Sequence, residues 1–244
     1  MKGKRILGYF LSGILLAAIV CLSIVLFVRR SRADAPSPLA EKSWIKDRNE
    51  LQDSRNIEYE ERYELRDIQD IEMIGDWTCI VTQGERAEGF IRSPRPSYWS
   101  VGFRGSSLIL RNTEKGNRRN EYTAIITMPM LESILNEGDS SFTLFDADLD
   151  HLEIINNGDL VMEAENSRIN EFSLRNSGDI DLDFQKIPLD QASLSMAGTG
   201  IIELLMEGRA LNVEGSGREK VYWSGTVSRQ NMDDSFRGRM EHRD

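Results

Sequence analysis

Three aspartates stand directly behind three glycines at a fixed interval: Asp139, Asp159 and Asp179 follow Gly138, Gly158 and Gly178, each twenty residues after the last. Carboxylates repeated at one period can serve two kinds of chemistry. Stacked without relief they repel, so they need full solvation or a cation such as Ca²⁺. Set along a groove, a pair of them could act as acid and base on a polysaccharide. The nine-residue calcium repeat of other β-rolls is absent, and Asp beside a turn glycine commonly makes local hydrogen bonds. The histidines are His151 and His242, and no catalytic motif surrounds either. The reading therefore assigns no catalytic residue, no metal and no cofactor.

A second group offers binding chemistry. Between Gly84 and Ser107, Tyr98, Trp99 and Phe103 mix with Arg92 and Arg95, with Arg86, Arg104, Pro94 and Pro96 alongside. Aromatic faces beside guanidinium groups can stack on sugars or anchor a protein partner. Alternatively, Trp99, Val101 and Phe103 alternate into the core of an early coil. A net charge of −10 opposes a nucleic-acid footprint, which needs a basic face. The basic cluster Arg111, Lys115, Arg118 and Arg119 reads as a solvated loop.

The elements that must carry these residues are legible in the repeat. Asn136-Glu137-Gly138-Asp139, Asn156-Asn157-Gly158-Asp159 and Asn176-Ser177-Gly178-Asp179 share one template, continued by Gly198-Thr199-Gly200 and Gly215-Ser216-Gly217. Apolar residues alternate on either side: Leu152, Ile154, Leu160 and Met162 match Phe172, Leu174, Ile180 and Leu182. Alternation of period two is a strand signal. Units of about twenty residues cannot bury an apolar face alone, so they stack as parallel coils about 4.8 Å apart. The expectation is an all-β solenoid over 67–227, roughly eight coils deep, the first few irregular. In it the glycines supply φ > 0 at the corners, and Asn136, Asn156 and Asn176 stack into an amide ladder. Pro129, unable to donate to a ladder, marks a corner. Tyr222 and Trp223 cap the last coil.

At the other end, Ile6 to Val28 runs 23 residues without a charge. That is enough to cross a bilayer core of about 30 Å as a helix. The segments are thus an n-region at 1–5, one transmembrane helix at 6–28, a charged stalk at 29–66, the solenoid at 67–227 and a polar tail at 228–244. A cleaved signal peptide competes for the N-terminus, but the run exceeds a normal h-region. Basic residues balance on the two sides, so charge gives no orientation. Cys21 lies in the apolar run and Cys79 in a strand-like run, so they build no disulfide framework.

Several of these segments, in this order, resemble the bacterial GIN domain, the family named for the head of an auto-transporter adhesin. They are Val81-Thr82-Gln83-Gly84, Met128-Pro129-Met130-Leu131-Glu132-Ser133-Ile134, the Asn-Ser-Gly-Asp corners, and Gly215-Ser216-Gly217 leading to Val221-Tyr222-Trp223-Ser224-Gly225. Asn replaces the first glycine of the family corner, and Arg218-Glu219 are additional. The resemblance implies a right-handed parallel β-helix and an exported domain, and it brings no catalytic residues. The expectation is a non-catalytic, single-pass protein of the bacterial cytoplasmic membrane. Its domain lies outside, binding an envelope glycan or protein through Arg92, Arg95, Tyr98, Trp99 and Phe103. Alternatives are a structural envelope protein acting by self-association or on a membrane partner, and a polysaccharide-active enzyme.

Overall fold

Residues 59–93, 98–113 and 122–243 are described by the computed structural model. The n-region, the expected transmembrane helix at 6–28 and most of the stalk lie outside them. Among the described residues no helix is long and apolar enough to cross a membrane.

Inward residues recur every second position, so each coil folds as strands on two walls that face each other across a narrow core. On wall A the parallel strands are β6 (Ser107–Asn112), β2 (Asp70–Ile74), β8 (Ser133–Glu137), β10 (Asp148–Asn156) and β12 (Arg168–Asn176). The wall continues through the second halves of β13 (Asp179–Met196), β14 (Thr199–Gly215) and β15 (Lys220–Met232). Wall B stacks β7 (Thr123–Met128), β3 (Trp77–Gln83), β9 (Asp139–Phe145) and β11 (Asp159–Glu165), then the first halves of β13, β14 and β15, and last β16 (Arg239–His242).

The register places like residues over one another. Leu108, Ile71, Ile134, Ile154, Leu174, Leu194 and Val213 form one inward column on wall A. Ala124, Cys79, Phe142, Met162, Leu182, Ile202 and Val221 face them from wall B. All these residues are buried. One column step is one strand spacing, so each methyl packs above and below as well as across.

From Ser133 onward the chain makes about six successive turns. The two earlier tiers are stacked out of order: β2 and β3 lie against the Ser133 tier, and β6 and β7, later in sequence, lie beyond them. Antiparallel strands close that end. β1 (Tyr59–Glu64) pairs with β4 (Glu88–Ser93), β4 with β7, and β5 (Trp99–Arg104) with β6. β1 falls within the stretch read as stalk, because Tyr59, Glu61 and Tyr63 alternate with more exposed charges. β15 and β16 likewise carry strand structure into the stretch read as polar tail. Pro129 sits between β7 and β8, and its carbonyl accepts from Gln83 Nε2 at 2.9 Å. Gln83 Oε1 accepts from the Asp148 amide at 2.6 Å, tying three tiers together.

The corner glycines work differently from expectation. Gly138, Gly158 and Gly178 do not adopt positive φ. A Cβ at Gly158 would lie 2.2 Å from the Gly138 carbonyl oxygen, and one at Gly178 1.9 Å from that of Gly158. They are glycine because successive corners touch backbone to backbone. Gly200 (φ 132°) and Gly215 (φ 110°) do hold the left-handed region. At the opposite corner Asp146 and Asn166 hold it instead, at 52° and 51°, as short polar side chains tolerate.

Candidate functional site

The amide ladder forms as the repeat predicts. Asn136 Nδ2 donates to Asn156 Oδ1 at 2.8 Å, and Asn156 Nδ2 donates to Asn176 Oδ1 at 2.8 Å. The same amides reach across the corner to the carbonyls of Gly138, Gly158 and Gly178. Above Asn176 the column would meet Met196, and Glu219 enters in its place. Its Oε1 accepts from Asn176 Nδ2 and from the Gly198 amide, both at 2.9 Å. Glu219 is fully buried and its Oε2 has no partner. It belongs to the pair Arg218-Glu219 that is additional to the resembled pattern, a signal in plain view whose role only the register discloses.

Asp139, Asp159 and Asp179 are in register on the outer corner of wall B. Asp159 and Asp179 are exposed, and Asp179 Oδ1 accepts from Thr199 Oγ1 at 3.0 Å. Among the described residues no cluster of His, Cys, Asp or Glu is arranged to hold a metal ion. His151 and His242 are exposed on different elements.

Of the aromatic and basic residues expected to bind, Arg92, Tyr98, Trp99 and Phe103 lie toward the first end of the solenoid, on or beside two strands. Arg92 lies on β4 opposite Glu60 of β1, with its Nε 2.7 Å from Glu60 Oε2. Arg95 lies outside the described residues. Tyr98, Trp99 and Phe103 are at or on β5, the edge strand of wall A. Tyr98 is 44% exposed and Phe103 50%. Trp99 packs partly against the core, its ring meeting Tyr63 edge-on at 6.5 Å, with Nε1 buried and unpartnered. So Trp99 and Val101 follow the core alternative, while Tyr98 and Phe103 remain outside. Arg104 Nη2 reaches Glu72 Oε2 at 2.5 Å, and Arg62 pairs with Glu88.

Tyr63 is the residue that sequence reading missed here. It sits inside a charged run, yet its ring joins the edge of one wall to the edge of the other. Burial, with Glu61 beside it, pushes its phenol well above the ordinary range. Cys79 is raised further from ionisation by burial alone. Asp190 is held below the usual carboxylate value, first by its hydrogen bond from Arg209. Tyr63, Cys79 and Asp190 lie on three different strands, β1, β3 and β13.

Known proteins place this architecture. Residues 67–244 match the family described as "Putative auto-transporter adhesin, head GIN domain". The chain belongs to the GIN-domain family. This GIN domain is similar in fold to a crystal structure of a "putative adhesin" from Bacteroides fragilis. The TM-score is 0.62 at 14% identity, covering 76% of this chain and 96% of that one. A "putative lipid binding protein" from Parabacteroides distasonis aligns with a TM-score of 0.45 at 13% identity, over 78% and 98% of the two chains. No curated protein matches the sequence.

Proposed function

We propose that this GIN domain is a non-catalytic, adhesin-like binding domain held outside the cytoplasmic membrane by the apolar segment 6–28. Its contact surface is the aromatic end that exposes Tyr98 and Phe103, and we assign Arg92 and Arg95 to it as well. The observation that carries this reading is the half-exposed Phe103 and Tyr98 on the edge strand β5. Large apolar rings at a strand edge are a liability unless something covers them. Family membership supports the adhesin-like role.

The test is co-sedimentation of the full chain with purified peptidoglycan sacculi, and surface plasmon resonance against solubilised envelope protein. Tyr98→Ala and Phe103→Ala should each weaken binding about tenfold, the loss of roughly one anchor contact. Binding that ignores both substitutions would sink the assignment. Protease accessibility in spheroplasts checks the orientation: the domain should be cut from outside.

One observation favours self-association as a second reading. β16 pairs only with Lys220–Trp223 of β15, so the rest of that strand forms the outer edge of wall A. An exposed strand edge is a template for another chain. Sedimentation velocity should then show a dimer or longer species that Ser228→Pro returns to monomer.

A further inference from the structure

We propose that the outer face of wall A over its last four tiers is a binding strip for an extended, uncharged polysaccharide. The site is distinct from the aromatic end. A surface cavity of about 630 Å³ opens there. Its floor is a column of outward side chains in register across the tiers: Ser173, Ser193, Asn212 and Asn231. Asn231 Nδ2 donates to Asn212 Oδ1 at 2.8 Å, and Asn212 Nδ2 reaches Ser193 Oγ at 3.5 Å. A hydroxyl or carboxamide both donates and accepts, as does every sugar hydroxyl.

Charge selects the class of ligand. The protein carries −10, and the outer face of wall B shows it: Asp159 aligns with Asp179, and Glu163, Asp183 and Glu203 form another column. On wall A the column from Ser173 to Asn231 is itself uncharged, and the carboxylates Glu214 and Asp233 line the same cavity. Of the cations that border it, Arg175 is paired with Glu153 at 3.3 Å and Arg209 with Asp190 at 2.6 Å, while Arg229 stands two residues from Asn231 on β15. A polyanion would meet Glu214 and Asp233 in the cavity and an acidic molecule behind it, costs that a neutral glycan avoids.

Geometry selects an extended chain. Four tiers span three strand steps, about 14 Å, and an extended hexose polymer advances by a similar distance per sugar as the sheet does per tier. Its hydroxyls can therefore meet one polar side chain after another. A peptide is disfavoured because the strands of the floor are hydrogen-bonded on both sides up to β15, leaving no backbone for strand addition on the face.

The test is native affinity electrophoresis of the full chain in detergent, with hydroxyethyl cellulose, laminarin or dextran in the gel and hyaluronan as the anionic control. At least one neutral polymer should retard the wild type. The pair Ser193→Val with Asn212→Val should weaken that retardation about tenfold. Phe103→Ala should leave it intact, which separates this site from the aromatic end. Both valines replace outward side chains on strands that favour β-branched residues; the milder Ser193→Ala, reducing retardation in part, guards against a folding defect. Absence of retardation by all three neutral polymers overturns the proposal. So does retardation that the double substitution does not change, or hyaluronan acting as strongly as the neutral polymers.

Discussion

Asn156 sits in the middle of its ladder, donating to Asn176 and to the carbonyls of Gly158 and Asp179 while accepting from Asn136 and from the Gly158 amide. Replacing it strands several buried groups at once, and each orphan costs about 1–3 kcal/mol. Asn156→Ala should therefore lose about 2–4 kcal/mol in urea unfolding. Asn136→Ala, at a ladder end whose Oδ1 already lacks a partner, should lose less, and equal losses would refute the ladder's cooperative character. Glu219 gives a sharper contrast. Glu219→Gln keeps the Oε1 acceptor and removes a buried charge whose other oxygen is unpaired, so its stability should match or exceed wild type. Glu219→Ala, which orphans Asn176 Nδ2 and the Gly198 amide, should fall about 2–4 kcal/mol below it. Legibility differed by residue: the asparagines repeat and their stacking follows from the period, but a single Glu in an irregular loop carries no periodic mark.

At the scale of the coil corner, contact between tiers outweighs backbone conformation. Gly158→Ala drives a methyl into the Gly138 carbonyl, and neither backbone can retreat without breaking its ladder. The expected loss exceeds about 4 kcal/mol, or the chain fails to fold. Gly105→Ala is the control: its φ of 61° is strained for alanine, but the space around it is open, so a loss of about 1 kcal/mol is expected. Thermal melts that rank the two in the opposite order would contradict the stacking account. The irregular corner near Asp190 adds a pH dependence. Arg209 donates to Asp190 from its main-chain amide at 3.1 Å and its Nε at 2.7 Å, lowering the carboxyl below its ordinary 3.8. A depressed carboxylate contributes stability above its unfolded value and loses it as pH falls through the folded one. Asp190→Asn should thus be less stable than wild type at neutral pH, and the gap should close below about pH 4. A constant gap across that window would assign the contact no electrostatic role.

Across the whole molecule, stability is a chain of nearest-neighbour tiers, so the two ends decide where unfolding begins. The first end is closed by antiparallel strands and the Tyr63–Trp99 contact. At the last end β16 covers wall B alone, with His242 stacked on Trp223 at 4.2 Å and the Arg243 guanidinium over the Tyr222 ring at 3.3 Å. Hydrogen exchange in a His242→Ala chain should accelerate over Lys220–Met232 first and leave β10 and β12 protected; uniform acceleration would mean a single cooperative unit. The period of twenty and the flanking alternation determined the parallel solenoid, its inward columns and its asparagine ladder, because each repeat must satisfy the same sterics as its neighbour. Where the rhythm breaks, only the tertiary structure decided. The swapped order of the first tiers, the strand within the charged run at Tyr59–Glu64, the split of the aromatic cluster between core and surface, and the Ser/Asn column on wall A all depend on which segments pair across long sequence separations. Such pairings leave no period in the chain. They arise because an open stack must be closed by whatever segment can reach its end.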